Sequence, residues 1–340
     1  MTAMATKTTI FTDIDFEKPG KQIGFLHLPH SPHHDAWGVI PIPICVIKNG
    51  EGPTVILEGG NHGDEYEGPI TLGHLIRDVD PGDIQGRLII IPAINQPAVA
   101  AGRRVSPVDD KNFNRTFPGT PTGTVTEQIS FYVNSVLFPM ADAFIDLHSG
   151  GSSLAIMPSA IIEPAPDPAH MKRNIDAVLA FNAPMTVVIN NLGDPRTSTA
   201  SAVRAGLTSV GTEMAGGGTV TPEALQICKR GVHNVLAHLG VLPAAKQSPG
   251  AETRLMQIPG AKGYVYAMSE GVFEPFHVNG TEVHEGEPAG QIHFLTNPGR
   301  PPELLRYRTD GIVYGRRQPG LVKPGNCCLV VVTPFTGQLA

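Results

Sequence analysis

Between residues 54 and 239 the chain repeats one unit: a short apolar run, then a stretch whose apolar side chains recur at helical spacing. The runs are residues 54–58, 87–92, 143–147, 186–189 and 208–211. The helical stretches are residues 65–79, 126–140, 168–181 and 221–239, the first marked by Ile70, Leu72, Leu75, Ile76 and Val79. Strands joined through helices pair in parallel, and a parallel strand buried on both faces reads as unbroken apolar sequence, as residues 87–92 do. The last helix carries its own boundaries: Thr221 as cap, Pro222 at the first helical position, Glu223 in the first turn and Gly240 past the end. This alternation predicts an α/β domain, a mostly parallel sheet flanked by helices.

The flanks read differently. Residues 38–48 form a strand or hairpin arm whose Pro41 and Pro43 place it at an edge or a bend. Residues 244–252 form a linker, after which helical periodicity stops and Gly, Pro and Val dominate. A weak repeat follows: Gly271-Val272-Phe273 with Gly280 and residues 283–286 echoes Gly311-Ile312-Val313 with Gly320 and residues 322–325. Two similar halves of short strands predict a small β-domain with quasi-twofold symmetry, similar to the barrel-sandwich fold of lipoyl and biotinyl domains. The turn that carries a modified lysine in those carriers has no counterpart here, which argues against a carrier role. The expected division is residues 1–245, with a β extension over residues 1–50, and residues 253–340.

Composition bounds the function. A net charge of −6 gives no basic face for nucleic acid. Residues 1–16 lack the apolar core of a secretory signal, and the longest apolar runs are too short and too broken by Gly and Pro for a membrane span. The 4 cysteines show no metal-ligand spacing and read as free thiols of a reducing cytosol.

The polar punctuation falls at strand ends: His62, Asn95, His148 and Glu213 each follow an apolar run. In open α/β sheets, ligands bind beyond the carboxyl ends of the strands, so these four side chains are expected at one crevice. His62 and Glu65, three apart in a Gly-rich turn, form two-thirds of a catalytic zinc site, which takes about three His or carboxylate ligands and leaves one position open. Alone, such a pair also fits a turn histidine and a helix-start charge favoured by the dipole. Asp146-Leu147-His148 supplies a third ligand, with Asp146 placed to orient the imidazole. His27, His30, His33 and His34 cluster near the N-terminus and read as a solvated loop rather than a second metal site.

Four spaced motifs occur in order: residues 59–65 (GGNHGDE), residues 112–119 (NFNRTFPG), residues 146–149 (DLHS) and residues 211–213 (GTE). Together they resemble the succinylglutamate desuccinylase/aspartoacylase family, relatives of the zinc carboxypeptidases, over roughly residues 25–335. The resemblance implies a zinc-carboxypeptidase-like mixed sheet flanked by helices and one Zn²⁺ per chain held by His62, Glu65 and His148. It further implies Glu213 as general base and proton shuttle, Arg104 (with Arg103 as the neighbouring alternative) polarising the scissile carbonyl, and Asn114 with Arg115 gripping the substrate carboxylate. An arginine suits that grip because its planar fork binds a carboxylate in two places.

Within the family, the aspartoacylase branch sets an arginine shortly before the catalytic glutamate. Here residues 199–203 offer none, although Arg196 and Arg204 flank them. The chain is instead similar to a deacetylase branch of ectoine breakdown, which implies hydrolysis of N-alpha-acetyl-L-2,4-diaminobutyrate to L-2,4-diaminobutyrate and acetate. That substrate carries one carboxylate and one cationic amine, for which Asp109, Asp110 and Asp194 are candidate partners. Competing expectations are another N-acyl amino-acid deacylase, a zinc carboxypeptidase and a non-catalytic zinc- or ligand-binding protein. The remaining expectations are a small-molecule partner, no nucleic acid or membrane, a cytoplasmic location, and a homo-oligomer with a dimer favoured.

Overall fold

The structure is a computed structural model and describes residues 8–189, 191–244, 250 and 252–337. It begins with a two-stranded antiparallel ribbon, β1 (Gly20–Pro29) and β2 (Val39–Asn49). The α/β part follows as β3 (Thr54–Gly59), α1 (Glu67–Asp78), β4 (Gly86–Ile91), α2 (Gln96–Ala101), α3 (Val125–Tyr132) and β5 (Ala143–His148). It continues as β6 (Leu154–Ile156), β7 (Ser159–Ile162), α4 (Pro168–Phe181), β8 (Met185–Val188), α5 (Ser198–Arg204), β9 (Thr208–Glu213) and α6 (Pro222–His238). The described C-terminal region has one 3-10 turn, Gly260–Gly263, and is otherwise built of strands: β10 (Arg254–Gln257), β11 (Tyr264–Tyr266), β12 (Gly271–Pro275), β13 (Glu282–Val283), β14 (Pro288–His293), β15 (Glu303–Arg306), β16 (Gly311–Arg317), β17 (Leu321–Val322) and β18 (Cys327–Pro334).

The centre of the main sheet is β4-β3-β5-β9, all parallel, and β3, β4 and β5 are buried along their whole length. Alternate residues of one strand enter opposite cores. Val55 and Leu57 pack with Leu72 and Leu75 of α1 and with α4 and α6, whereas Ile56 packs with Ile129 and Tyr132 of α3. This two-sided cover explains the unbroken apolar runs. The sheet is mixed, because β7 runs antiparallel to β9 and β2 antiparallel to β4. Pro41 and Pro43 lie in the part of β2 that pairs with β1 only; pairing with β4 begins at Cys45, so neither proline removes a ladder bond on that side.

Local differences from expectation have local causes. α1 starts at Glu67, because residues 60–66 are committed to the turn that carries His62 and Glu65. The stretch 126–140 is α-helical only to Tyr132; a π-turn over Val133–Leu137 and a 3-10 turn over Phe138–Met140 complete it, the latter containing Pro139, which has no N–H to donate. β1, α2, β7 and α5 carried no usable period. α2 and α5 are six and seven residues long, too short for one to show.

Most of the expected linker lies outside the described residues. Beyond it, β10 returns to the main sheet, parallel to β8 and antiparallel to β18, and β16 pairs with β6. The C-terminal strands therefore extend the main sheet while also forming a separate four-stranded sheet, β15-β14-β12-β17. The weak repeat has a reciprocal structural counterpart: Gly271 of the first half faces Val322 of the second, and Gly311 of the second faces Val283 of the first.

Candidate active site

His62 and Glu65 leave β3 on a turn that only small residues permit. A Cβ on Gly63 would meet the carbonyl oxygen of Ala98 at 1.9 Å, and the Gly63 N–H donates to the carbonyl of Arg103 at 2.9 Å. The turn is thereby pressed onto α2 and the segment that carries Arg104. His148 ends β5, and Glu213 ends β9 directly opposite it in the parallel register.

His62, Glu65 and His148 are buried, and one donor atom from each lies within 4.8 Å of the others. Nδ1 of His62 lies 3.0 Å from the carbonyl oxygen of Arg104, which leaves Nε2 for the centre. Nε2 of His148 lies 2.8 Å from Asp146 Oδ2, and its Nδ1 lies 3.1 Å from Glu65 Oε2. The Ser149 N–H donates to the same Glu65 oxygen at 2.9 Å. Each imidazole is thus oriented by an acceptor behind it, the arrangement that fixes tautomers in metal centres. Two imidazoles, one carboxylate and a backing acceptor for each ring fit a zinc ion.

Electrostatics separate the two histidines. Burial, with the charges of Arg104 and His148, drives the His62 pKa well below its usual value, so this ring is neutral. Burial acts in the same direction on His148, but Asp146 and Glu65 outweigh it and hold that pKa well above the usual value. A cation bound here must displace that proton. Burial, then repulsion from Glu65, raises the Glu213 pKa to about 8. Its Oε2 has no hydrogen-bond partner among the described residues.

A cavity of about 230 Å³ is lined by His62, Glu65, Arg104, Asn114, Arg115, His148 and Glu213. All seven residues singled out for metal, catalysis and substrate therefore meet. Arg104 reaches Glu65 Oε1 at 3.4 Å, whereas its alternative Arg103 is turned outward toward Asp110. Asn95 departs from the expected convergence. It caps α2, donates to the carbonyl of Asn61 at 3.2 Å and does not line the cavity. Of the N-terminal histidines, His27 stacks on Phe11 in the ribbon, and none belongs to the His62–Glu65–His148 group.

The three acidic candidates for the substrate amine are engaged elsewhere. Asp109 holds the backbone and hydroxyl of Thr126, each at 2.8 Å, and Asp110 faces Arg103. Asp194 pairs with Arg196 and lies 3.2 Å from Nε of Arg115. Arg196 holds its pKa down at about 2. The carboxylates on the cavity wall are Glu65 and Glu213.

Sequence reasoning missed Ser198. It opens α5, its N–H donates to Asn114 Oδ1 at 2.8 Å, and its hydroxyl reaches both that oxygen and Asp146 Oδ2. It therefore joins the carboxylate grip to the group that orients His148. A serine in a Ser/Thr/Ala-rich segment gave no signal of this. Ser149, Gly150, Ser153, Leu154, Ile156 and Asn191 complete the wall and were equally silent.

Comparison with known proteins agrees with this geometry. The succinylglutamate desuccinylase/aspartoacylase catalytic domain matches residues 51–239. An N-alpha-acetyl-L-2,4-diaminobutyric acid deacetylase from Halomonas elongata is 41% identical over 322 residues, covering 95% of this chain and 94% of the relative. The product-bound structure of the ectoine utilization protein EutE (DoeB) from Ruegeria pomeroyi superposes with a TM-score of 0.94 at 40% identity, covering 96% of this chain and 99% of that one. A succinylglutamate desuccinylase/aspartoacylase from Rhodobacter sphaeroides gives 0.91 at 42% identity, covering 96% and 100%. By its ordered motifs, its site and these matches, the chain belongs to the succinylglutamate desuccinylase/aspartoacylase family.

Proposed function

We propose that this protein is a zinc-dependent amidohydrolase that removes the acetyl group from N-alpha-acetyl-L-2,4-diaminobutyrate, releasing L-2,4-diaminobutyrate and acetate in ectoine breakdown. One observation carries the reading: three metal donors, a free carboxylate and an arginine–asparagine pair share one small cavity. The relatives of known activity support the choice of substrate.

His62, Glu65 and His148 would hold the zinc, which when bound would supply Lewis acidity toward the acyl oxygen and make a water easier to deprotonate. Glu213 takes the proton of the attacking water on its carboxylate and returns it to the departing amine, base first and acid second. Arg104, at the cavity wall, faces the charge that develops on the acyl oxygen. Arg115 and Asn114 hold the substrate carboxylate. Asp194 engages Nε of Arg115, and Ser198 holds Oδ1 of Asn114, which turns the amide nitrogen toward the substrate.

The charge inventory favours one substrate carboxylate over two. Arg104 and Arg115 are the cations among the described lining residues, Arg196 is spent on Asp194, and Arg204 donates to the carbonyl of Pro195. With Arg104 assigned to the acyl oxygen and Arg115 to one carboxylate, no arginine among the described lining residues is left to grip a second.

The same reading takes the protein as a cytoplasmic homo-oligomer, a dimer first. No helix among the described residues is long and apolar enough to cross a membrane. An assay of the released acid (acetate, or succinate from succinylglutamate) with N-alpha- and N-gamma-acetyl-diaminobutyrate, acetylaspartate and succinylglutamate tests the function. Turnover of the N-alpha isomer that is lost with a chelator and regained with zinc is expected. Chelator-insensitive turnover, or preference for acetylaspartate or succinylglutamate, would overturn it.

A further inference from the structure

The start of α5 sets each of its hydroxyls on a different partner. Thr197 caps the helix by accepting from the Ala200 N–H at 3.1 Å. The Thr199 hydroxyl donates to Glu163 Oε2 at 3.0 Å, and the Ser201 hydroxyl donates to Asn134 Oδ1 at 2.7 Å. The helix is thereby tied to the residue after β7 and to the turn after α3. Between these anchors stands Ser198, fully buried and absent from the cavity wall, so it touches no substrate. Its partners are the groups that do the touching or stand directly behind them.

Proton bookkeeping separates its two donors. The Ser198 N–H donates to Asn114 Oδ1 at 2.8 Å. The hydroxyl lies 3.1 Å from that same oxygen and also meets Asp146 Oδ2. A hydroxyl has one proton to give. Asn114 Oδ1 already holds the N–H, and a carboxylate makes the stronger bond, so the hydroxyl proton belongs to Asp146.

On Asp146 the load falls on one oxygen. Oδ2 meets Ser198 and lies 2.8 Å from Nε2 of His148, whereas Oδ1 has no partner among the described residues. Asn61 stands off at 3.5 Å. Without the Ser198 hydroxyl, the carboxylate is held chiefly by the ring that it has to orient, and it can turn about its own Cβ–Cγ bond. On Asn114 the N–H decides which end of the amide faces the cavity. With Oδ1 held, Nδ2 is left as a donor for the substrate carboxylate; turned over, the amide would set oxygen against oxygen.

We propose that Ser198 is a positioning residue with two separable duties: its hydroxyl steadies His148 for the cation through Asp146, and its backbone N–H sets the Asn114 amide for the substrate carboxylate. This deepens the zinc amidohydrolase reading above and rests on it.

Two substitutions separate the duties. Ser198→Ala removes the hydroxyl and keeps the N–H. It should weaken zinc binding by about tenfold, measured by competition with a chromophoric chelator, and leave KM at saturating zinc within about twofold. In an Asp146→Asn background the same substitution should cost less than about twofold further in zinc affinity, because the hydroxyl acts through that carboxylate. Ser198→Pro removes both donors at the first helical position, where the fixed φ of proline fits and the preceding Thr197 is already extended. It should weaken zinc as Ser198→Ala does and also raise KM by about three- to tenfold, the worth of one hydrogen bond. If Ser198→Pro does not fold, Asn114→Asp takes its place: it keeps an acceptor for the Ser198 N–H, puts an oxygen where Nδ2 stood, and should raise KM with zinc affinity held within about twofold.

Unchanged zinc affinity in Ser198→Ala, or a full additive loss in the Asp146→Asn background, would overturn the first duty. An unchanged KM in Ser198→Pro or its replacement, or a KM raised as far by Ser198→Ala as by Ser198→Pro, would overturn the second. A protein that binds zinc but hydrolyses none of the acylated amino acids would defeat the reading of function, while the chelator titration, which uses no substrate, still decides the first duty. A protein that binds no zinc would overturn both.

Discussion

Asp146 Oδ2 lies 2.8 Å from Nε2 of His148, and the carboxylate is fully buried. It accepts the ring proton there, which turns Nδ1 toward Glu65 and the centre of the site, where a bound cation would displace the proton that Nδ1 carries. The same oxygen accepts the hydroxyl of Ser198, and Asn61 lies 3.5 Å from both Asp146 and the buried Glu58. Burial and then the nearby Asp146 charge hold the Glu58 carboxyl well above its usual pKa.

Asp146→Asn should therefore weaken zinc binding by about 10–100-fold, the usual range for losing a partner behind a ligand histidine. Competition with a chromophoric chelator measures this independently of turnover. Unchanged affinity would remove Asp146 from the metal centre.

Glu213→Gln keeps the volume and removes the base. kcat should fall by about 10²–10⁴-fold, the range for a positioned acid–base group, with KM and zinc content nearly unchanged. Retention of full activity would reassign the proton transfers.

Arg115→Ala should raise KM by about 10–100-fold, corresponding to about 1.5–3 kcal/mol for a charged hydrogen bond, with a smaller effect on kcat. Arg115→Lys should recover only part of this, because a point charge cannot reproduce the guanidinium fork. Steady-state kinetics on the acetylated amino acid separates the two constants.

Glu163 gives a stability signal apart from the metal site. Burial raises its pKa to about 7, against stabilisation from the Thr199 hydroxyl at 3.0 Å. Because the folded state holds this proton more tightly than the unfolded chain, the contribution to stability is fully present below pH about 4.5 and is lost as pH rises through about 7. Glu163→Gln should remove that slope and raise the melting temperature at pH 8 relative to the unmodified protein, with little change at pH 4.5. The upper bound is about 3 kcal/mol. Parallel melting curves at both pH values would expose the opposite sign.

The sequence by itself determined the central sheet, its main helices and the three candidate metal donors. Strands buried on both faces must be apolar throughout, helices must carry one apolar stripe, and ligands at strand ends interrupt such runs with His, Asp and Glu where nothing in packing asks for them. Residues 87–92 and the caps of α6 were legible for the first two reasons, and His148 for the third. Ser198, Asp194 and Asn191 were not, because their roles come from what tertiary folding sets beside them: Asn114 and Asp146 for Ser198, Arg115 for Asp194, the cavity for Asn191. The same limit explains Asn95, which stands after a strand as His62 does but whose amide is spent on the carbonyl of Asn61 behind the site. Only the tertiary structure decided that Arg104 rather than Arg103 faces the cavity, that the C-terminal strands rejoin the main sheet through β10, and that Ile23 and Phe25 stand exposed on the outer face of the ribbon. Neighbouring arginines are indistinguishable by spacing, and which alternate face of a strand is covered depends on where α1 ends, a distance in space that no local pattern records.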